Sequence, residues 1–547
     1  MCRDILCVIM SCIFSLGVMA QRDTTKQSIN ITSSFKPVLR NAVKINFSGS
    51  QLLTDTINSV RPYMIPAQNL FYAYQPIALK PLALQQDSNL YLGNRNFVKA
   101  GFGNYSTPYV KAGLSFGNGK TTLLNLYGNY ISSKGKIKNQ DYTEFEGKAT
   151  GSYFTKKFEV YASGAVKQRN YFLYGYDHDS FSYKKLDVKQ HLQEISIRAG
   201  IRNTNVTDYR ISYNPNVEFN IFSNYNRLNE TTVIVNVPVE KKFGENFAVK
   251  VEAKADVTNY YTKKYFLPND YNFNNNVIQV SPSIVYSSPQ FSITGGITPT
   301  WDNSKFVWLP NVYAEYQLKQ NVFMIQAGWI GRYIKNTYRN LSAMNPYLAT
   351  ITSQTNTKEV EFYGGIKGSL GSHFNFNAKA GLVTYNDLPF FINDTSAALG
   401  DNKAFVIANE RKVNNFRVHG DLSYISQDKF TATAGITFNG YTGMKSNARA
   451  WNTLPVEISG SVRYWAFKQV MLKADFYMFG GGNYLEKGNK SVPFKPGSDL
   501  SAGVEFKINK QFSAWLDVNN IFNNKYERWH NYQVYGLNLL GGIRFDF

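Results

Sequence analysis

Five histidines, His178, His191, His373, His419 and His530, are the first residues to question for chemistry. In Asp177-His178-Asp179 an imidazole sits between two carboxylates, the donor types that hold a divalent metal. Their spacing argues against a site, because neighbouring side chains of an extended chain diverge and cannot all reach one ion. A solvated polar loop accounts for them. His419 and Asp421 lie two apart and therefore share one face of a strand, where a polar pair in a wet interior explains them without catalysis. No serine stands in a nucleophile-elbow or phospholipase-like motif, and no glycine-rich phosphate loop follows a strand and opens a helix. The chain therefore reads as non-enzymatic, with no catalytic, cofactor-binding or metal-binding residue assigned.

Thiol chemistry is absent for a different reason. All three cysteines, Cys2, Cys7 and Cys12, lie in the first 20 residues. There Arg3 precedes an apolar run from Ile5 to Val18, and Val18-Met19-Ala20 is a small-residue cleavage site before Gln21. Residues 1–20 read as a secretory signal peptide, since a membrane anchor needs a longer apolar run.

The elements that would position any site are legible from about residue 94. In Phe247, Val249, Val251, Ala253, Ala255 and Val257 every second residue is apolar, and Lys250, Glu252, Lys254 and Asp256 fall between them. Phe416 to Tyr424 and Phe430 to Asn439 repeat the pattern. This is the two-residue period of a strand with one apolar and one polar face. The runs last about 10 to 15 residues, longer than the five or six usual in soluble sheets and long enough for a tilted strand to cross a bilayer. A mean hydropathy of -0.32 does not oppose this, because only alternate residues of such a strand meet lipid.

Ten tight polar turns punctuate the pattern, near Gly117, Thr155, Thr204, Gly244, Ser288, Lys319, Gly371, Gln427, Lys468 and Asn509. Between them the connections are mostly longer and polar. Short turns on one side and long loops on the other mark a bacterial outer-membrane barrel. Ten turns imply eleven hairpins, hence an all-β, antiparallel transmembrane barrel of about 22 strands over residues 94–547. Weak turn signals near Ser106 and Asn303, and an ambiguous segment from Ala404 to Asn409, leave that count open by about two strands. Aromatics near strand ends (Tyr260 and Tyr261, Trp308, Trp329 and Tyr333, Tyr464 and Trp465, Phe476 to Phe479) are expected in two interfacial girdles.

A net charge of +21 survives loss of the signal peptide, because Arg3 and Asp4 leave together. The cations are scattered among acidic neighbours, with no basic helix or RNA-binding motif, so nucleic acid is not expected as a partner. Outer-membrane lipid and lipopolysaccharide, or an anionic solute, suit the charge better.

The last strand is the most specific part of the chain. Leu537, Leu539, Ile543, Phe545 and Phe547 share one face, with Asn538, Arg544 and Asp546 on the other. Before it, Asn520-Ile521-Phe522-Asn523 leads to Tyr526, then Tyr532, Gly536, Gly541 and Gly542. About 32 residues here resemble the end of TonB-dependent receptors. The terminal aromatic Phe547 occupies the position that the barrel-assembly machinery recognises in outer-membrane proteins generally. The family resemblance also implies an N-terminal plug and an energy-coupling partner, TonB or another periplasmic protein. Residues 21–93 do not read as that plug. They are proline-rich (Pro37, Pro62, Pro66, Pro76 and Pro81) with seven basic residues against three acidic, and Ser28 to Thr32 is a weak candidate for a coupling box. A reduced lumenal plug, a periplasmic docking segment and a disordered leader all remain open. The expected function is uptake or passage of a solute across the outer membrane, and the alternative is a structural barrel whose N-terminal segment docks a periplasmic partner.

Overall fold

A strand with one greasy and one charged face is stable only between two different media. The computed structural model describes residues 96–547, except 206, 264–268, 320–322, 372, 395–400 and 427–428. In it Phe247–Thr262 is a strand of 16 residues, with Val249, Val251 and Val257 exposed on its outer side. It pairs along its whole length with Leu228–Phe243 on one edge and Tyr271–Ser287 on the other. The same rule joins each strand to its sequence neighbours, always antiparallel.

The sheet has no free edge. Its first strand, Phe97–Gly103, pairs with its last, Asn538–Asp546, in a register from Phe97 opposite Asp546 to Gly103 opposite Leu540. Closure satisfies the backbone groups that an open edge would leave bare in hydrocarbon. At this seam Gly101 faces Gly542. A Cβ at Gly101 would enter the Trp515 ring, and one at Gly542 would strike the Ala100 carbonyl, so the seam requires both glycines.

Among the described residues the sheet contains 23 hydrogen-bonded segments. Two of them, Ile211–Tyr213 and Asn216–Asn224, pair with the same neighbour, Leu228–Phe243, in unbroken register. They are one strand interrupted at Pro215, which has no N–H to offer the ladder. Counting them once gives 23 − 1 = 22 strands, the number expected from the turns.

The ten turns lie at the end that also holds Phe97 and Phe547, and eleven connections lie at the other. Turn residues 320, 372, 427 and 428 fall outside the described residues, but the strands flanking them pair as hairpins. Both weak signals prove to be turns: Tyr105, Ser106 and Asn303 take positive φ values of 58°, 50° and 53°. The ambiguous segment is a strand outside the barrel wall. Phe405–Glu410 pairs with Leu388–Asn393 as a hairpin within an outer connection, and Phe405 also bridges Leu348. The readings of residues 1–20 and 21–93 lie outside the described residues.

The exterior carries an apolar band bounded by aromatics. At the inner end Phe247 meets Tyr286 at 5.0 Å, and Phe374, Tyr424, Phe430 and Tyr464 form a chain of ring contacts between 4.8 and 6.0 Å. At the outer end Trp301, Phe306 and Trp308 touch in series, while Trp329, Phe362, Leu382 and Phe416 lie opposite one another across four strands. Phe374 and Leu382 are about eight residues apart on one strand, roughly 26 Å along it and about 20 Å after tilt, close to a bilayer core.

Four residues of the expected girdle are elsewhere. Tyr260 (0% exposed) and Phe479 (1%) are buried inside the mouth, and Tyr477 is buried with them. Trp465 also faces inward, with Lys507 Nζ 4.1 Å above its ring. Period two is the cause: of two adjacent aromatics, one must point away from the lipid.

Candidate functional site at the outer mouth

The residues singled out for chemistry do not converge. Asp177 accepts from Asp179 N at 3.1 Å and Ser180 Oγ at 2.5 Å, and these bonds hold its carboxyl below the ordinary range, the Ser180 bond foremost. His178 turns away, with Nε2 3.1 Å from Tyr174 O. His419 lies on the inner wall with Nε2 2.6 Å from Asp421 Oδ2 and Nδ1 2.9 Å from Thr437 Oγ1. His191 engages Asn170 on the outer surface, His373 stacks near Tyr424, and His530 stacks on Tyr484 at 3.9 Å. Among the described residues no cluster of three histidine, cysteine or acidic side chains is placed to hold a metal. Phe547 is exposed at the inner end, its N–H donating to Asn96 O at 2.9 Å.

The built site is at the opposite end. Residues 335–356, which follow the strand Phe323–Ile334, fold onto the inner wall instead of projecting into solvent. They contain one short helix, Tyr338–Met344, capped by Thr337, whose side chain accepts from Asn340 N. Seven residues are too few to be helical alone, and the first turn holds no acid. The wall supplies the anion: Glu230 accepts from Tyr338 N at 2.7 Å and Arg339 N at 3.3 Å. Glu230 is buried at 1% exposure, so this is a desolvated carboxylate at a helix N-terminus.

Further bonds fix the segment across neighbouring strands. Lys335 Nζ pairs with the Asp256 carboxylate and donates to Asp256 O at 2.8 Å and Thr258 Oγ1 at 2.7 Å. Arg339 reaches Glu194 at 3.2 Å. Asn356 donates to Asn275 at 2.6 Å and Asp302 at 2.7 Å, and Tyr260 donates to Ile351 O at 2.6 Å. Polar groups buried this deeply are costly unless matched, and Lys335 and Asn356 find their partners on the wall while Tyr260 reaches the segment from it.

Above this floor, other outer connections close over an aromatic core. Tyr347 stacks on Tyr532 at 3.4 Å, and Tyr174 meets Tyr532 edge-on at 4.9 Å. Trp529 is flanked by Phe391 at 5.3 Å and Phe405 at 5.4 Å, both from the outer hairpin. Tyrosine suits such a core because its hydroxyl can satisfy a carbonyl: Tyr174 donates to Gln533 O at 2.8 Å, and Tyr532 donates to Lys403 O. Burial pushes the Tyr174 hydroxyl up to about 12. Arg528 is also fully buried, stacked 4.2 Å from Trp529 and donating to Asn452 O at 3.1 Å; burial pulls its guanidinium down to about 10. A second anchor is Glu410, whose carboxylate accepts from the N–H groups of Lys445, Ser446 and Asn447 between 2.6 and 2.9 Å. Burial opposes its charge, but these donors outweigh burial and hold it below the ordinary value.

Beneath the mouth the wall is polar and carries matched charges. Arg332 forks onto Glu359, which also faces Arg417; Lys367 pairs with Glu315 at 2.6 Å, Arg463 with Asp475 at 2.9 Å and Lys473 with Asp517 at 2.7 Å. A recess of about 210 Å³ opens where Ser163, Ala165 and Ser196 lie between longer side chains, Glu146, Lys148, Lys167 and Glu194. This wall can solvate a polar solute, and the mouth assembly stands above it.

A closed antiparallel barrel of 22 strands with an apolar belt and a polar interior is an outer-membrane fold. The solved structures it matches are TonB-dependent receptor barrels. The siderophore receptor PirA from Acinetobacter baumannii gives a TM-score of 0.63 at 12% identity, over 84% of this chain and 81% of that one. The FrpB iron transporter from Neisseria meningitidis gives 0.61 at 11%, over 83% and 82%. The copper transporter OprC gives 0.61 at 12%, over 85% and 82%. At these identities the likeness is one of fold. No protein-family model and no curated protein matches the sequence.

Proposed function

We propose that this barrel passes a solute across the outer membrane and that residues 335–356, with the aromatic core above them, form its outer gate. The observation behind this reading is the buried attachment of Lys335 to Asp256 and Thr258, which ties an outer connection to the inner wall. The kinship of fold with iron, siderophore and copper transporters supports uptake as the direction of passage. The chain is read as a non-enzymatic transporter. On the same reading residues 1–20 are a signal peptide, residues 21–93 engage TonB or another periplasmic protein, and Phe547 is the assembly signal.

Planar-bilayer recordings of the full mature chain provide the test. The wild type should conduct little, and removal of residues 339–354 should raise conductance several-fold. Unchanged conductance in the shortened protein, with its barrel folded, defeats the gate. Deleting residues 21–90 separates transport from docking: a transporter becomes leakier, whereas a docking barrel loses a co-purifying partner and keeps its conductance.

A further inference from the structure

The outer surface changes character abruptly on one side of the barrel. Val166, Ile195 and Ile221 lie in a single row across three strands, Phe158–Phe172, Lys189–Asn203 and Asn216–Asn224, and face the lipid. One step further out on the same face the row is Gln168, Gln193 and Ser223. The next step pairs Asn170 with His191, whose Nδ1 lies 2.7 Å from Asn170 Oδ1. Hydrocarbon therefore ends between these rows, because unpaired amides are not left facing acyl chains.

Cations stand immediately above. Lys189 is opposite Phe172 in the register and thus faces outward, and its Nζ lies 5.4 Å from the exposed Tyr225 ring. Lys185 has its Nζ 4.7 Å over Phe172, while 57% of its side chain remains exposed. The rings hold both long stems against the barrel and leave the ammonium groups at the rim. Residues 184–189 carry three cations, Lys184, Lys185 and Lys189, and one acid, Asp187, and Lys185 is also paired with Asp141. At two other places the outward row at the strand ends is made of neutral pairs: Asn259 bonds Asn272 and Asn274, and Thr384 bonds Asn414.

We propose that this sector binds the phosphate groups of outer-leaflet glycolipid, with Lys185 and Lys189 as phosphate donors and Gln168, Asn170 and Gln193 facing its sugars. The acyl chains then lie on the Val166, Ile195 and Ile221 row, which makes the patch continuous with the membrane belt. Fixed amines at the level where lipid phosphate begins are complementary in charge and in height. The binding holds whether or not the barrel passes a solute.

The test uses the full mature protein in detergent, titrated with bisphosphorylated lipid A and read by native mass spectrometry. Retention should fall about tenfold or more in Lys185→Gln/Lys189→Gln. Lys358→Gln, at a distant part of the rim, should leave it unchanged, and the slower gel migration on heating reports that each barrel is folded. Monophosphorylated lipid A should bind more weakly than the bisphosphorylated form. Equal retention by the double variant overturns the proposal. So does phosphatidylglycerol bound as tightly as lipid A, or a change in oligomeric state in place of lipid loss, which would make the face a contact between copies.

Discussion

Glu230 on the inner wall accepts a 2.7 Å hydrogen bond from the backbone N–H of Tyr338, so a helix in an outer connection is capped by a strand about a hundred residues before it. The helix and the wall fold as one unit. Replacing Glu230 with Ala removes the acceptor of Tyr338 N, Arg339 N and Gln354 together. The expected cost is about 1–3 kcal/mol, confined to the mouth. Limited proteolysis should cut near residues 338–350 in the variant, with the barrel intact. Protection equal to the wild type would show that the helix does not depend on the wall.

Lys335 and Asp256 form a buried pair and should behave as one. Lys335→Met or Asp256→Leu alone leaves an unmatched buried charge and should destabilise the mouth by about 3–5 kcal/mol. The double substitution should cost clearly less than the sum. Thermal melts of the four proteins in detergent give the coupling, and strict additivity would mean that the pair contributes nothing.

Glu410 predicts an acid-sensitive loop. Its carboxyl is held below the ordinary value of 4.5, with burial opposed by three backbone donors. A depressed carboxyl stabilises the folded state above its unfolded-state pKa, and that contribution is lost as pH falls through the folded value. The protection factors of the Lys445, Ser446 and Asn447 amides, which remove the intrinsic pH dependence of exchange, should therefore be high at neutral pH and fall below pH 4.5. In Glu410→Gln the protection factors should be lower at neutral pH and much less responsive to acid.

The dyad pattern has its own test. Val251→Arg places a charge in the middle of the outward apolar stretch Phe247 to Val257 and should cost about 2–4 kcal/mol, measured by refolding into lipid vesicles. Lys250→Met, one residue away on the lumenal face, should change stability by less than about 1 kcal/mol. Comparable effects of the two would mean that the faces are misassigned.

Alternation made the barrel legible. The outward positions of Val249 and Val251, the closing strand from Leu537 to Phe547 and the count of 22 strands all follow from period two and turn spacing. The same rule would have placed Tyr260, Trp465 and Phe479 inside, had it been applied to each aromatic pair in preference to strand-end position. The mouth was not legible in this way. Tyr174, Tyr347, Trp529 and Tyr532 fall in connections that read as long and polar, and their aromatic rings are the local signal that could have set these segments apart from solvated loops. Phe405–Glu410 has a strand's composition, and whether it joined the wall depended on which edge was free.

The sequence alone thus determined the cylinder, because side-chain period and turn spacing are local quantities that a bilayer converts directly into topology. Only the tertiary structure decided that outer connections turn inward and pack on one another. Such contacts join residues separated by tens to hundreds of positions, and no periodicity in the chain encodes which carbonyl a buried tyrosine or lysine will find.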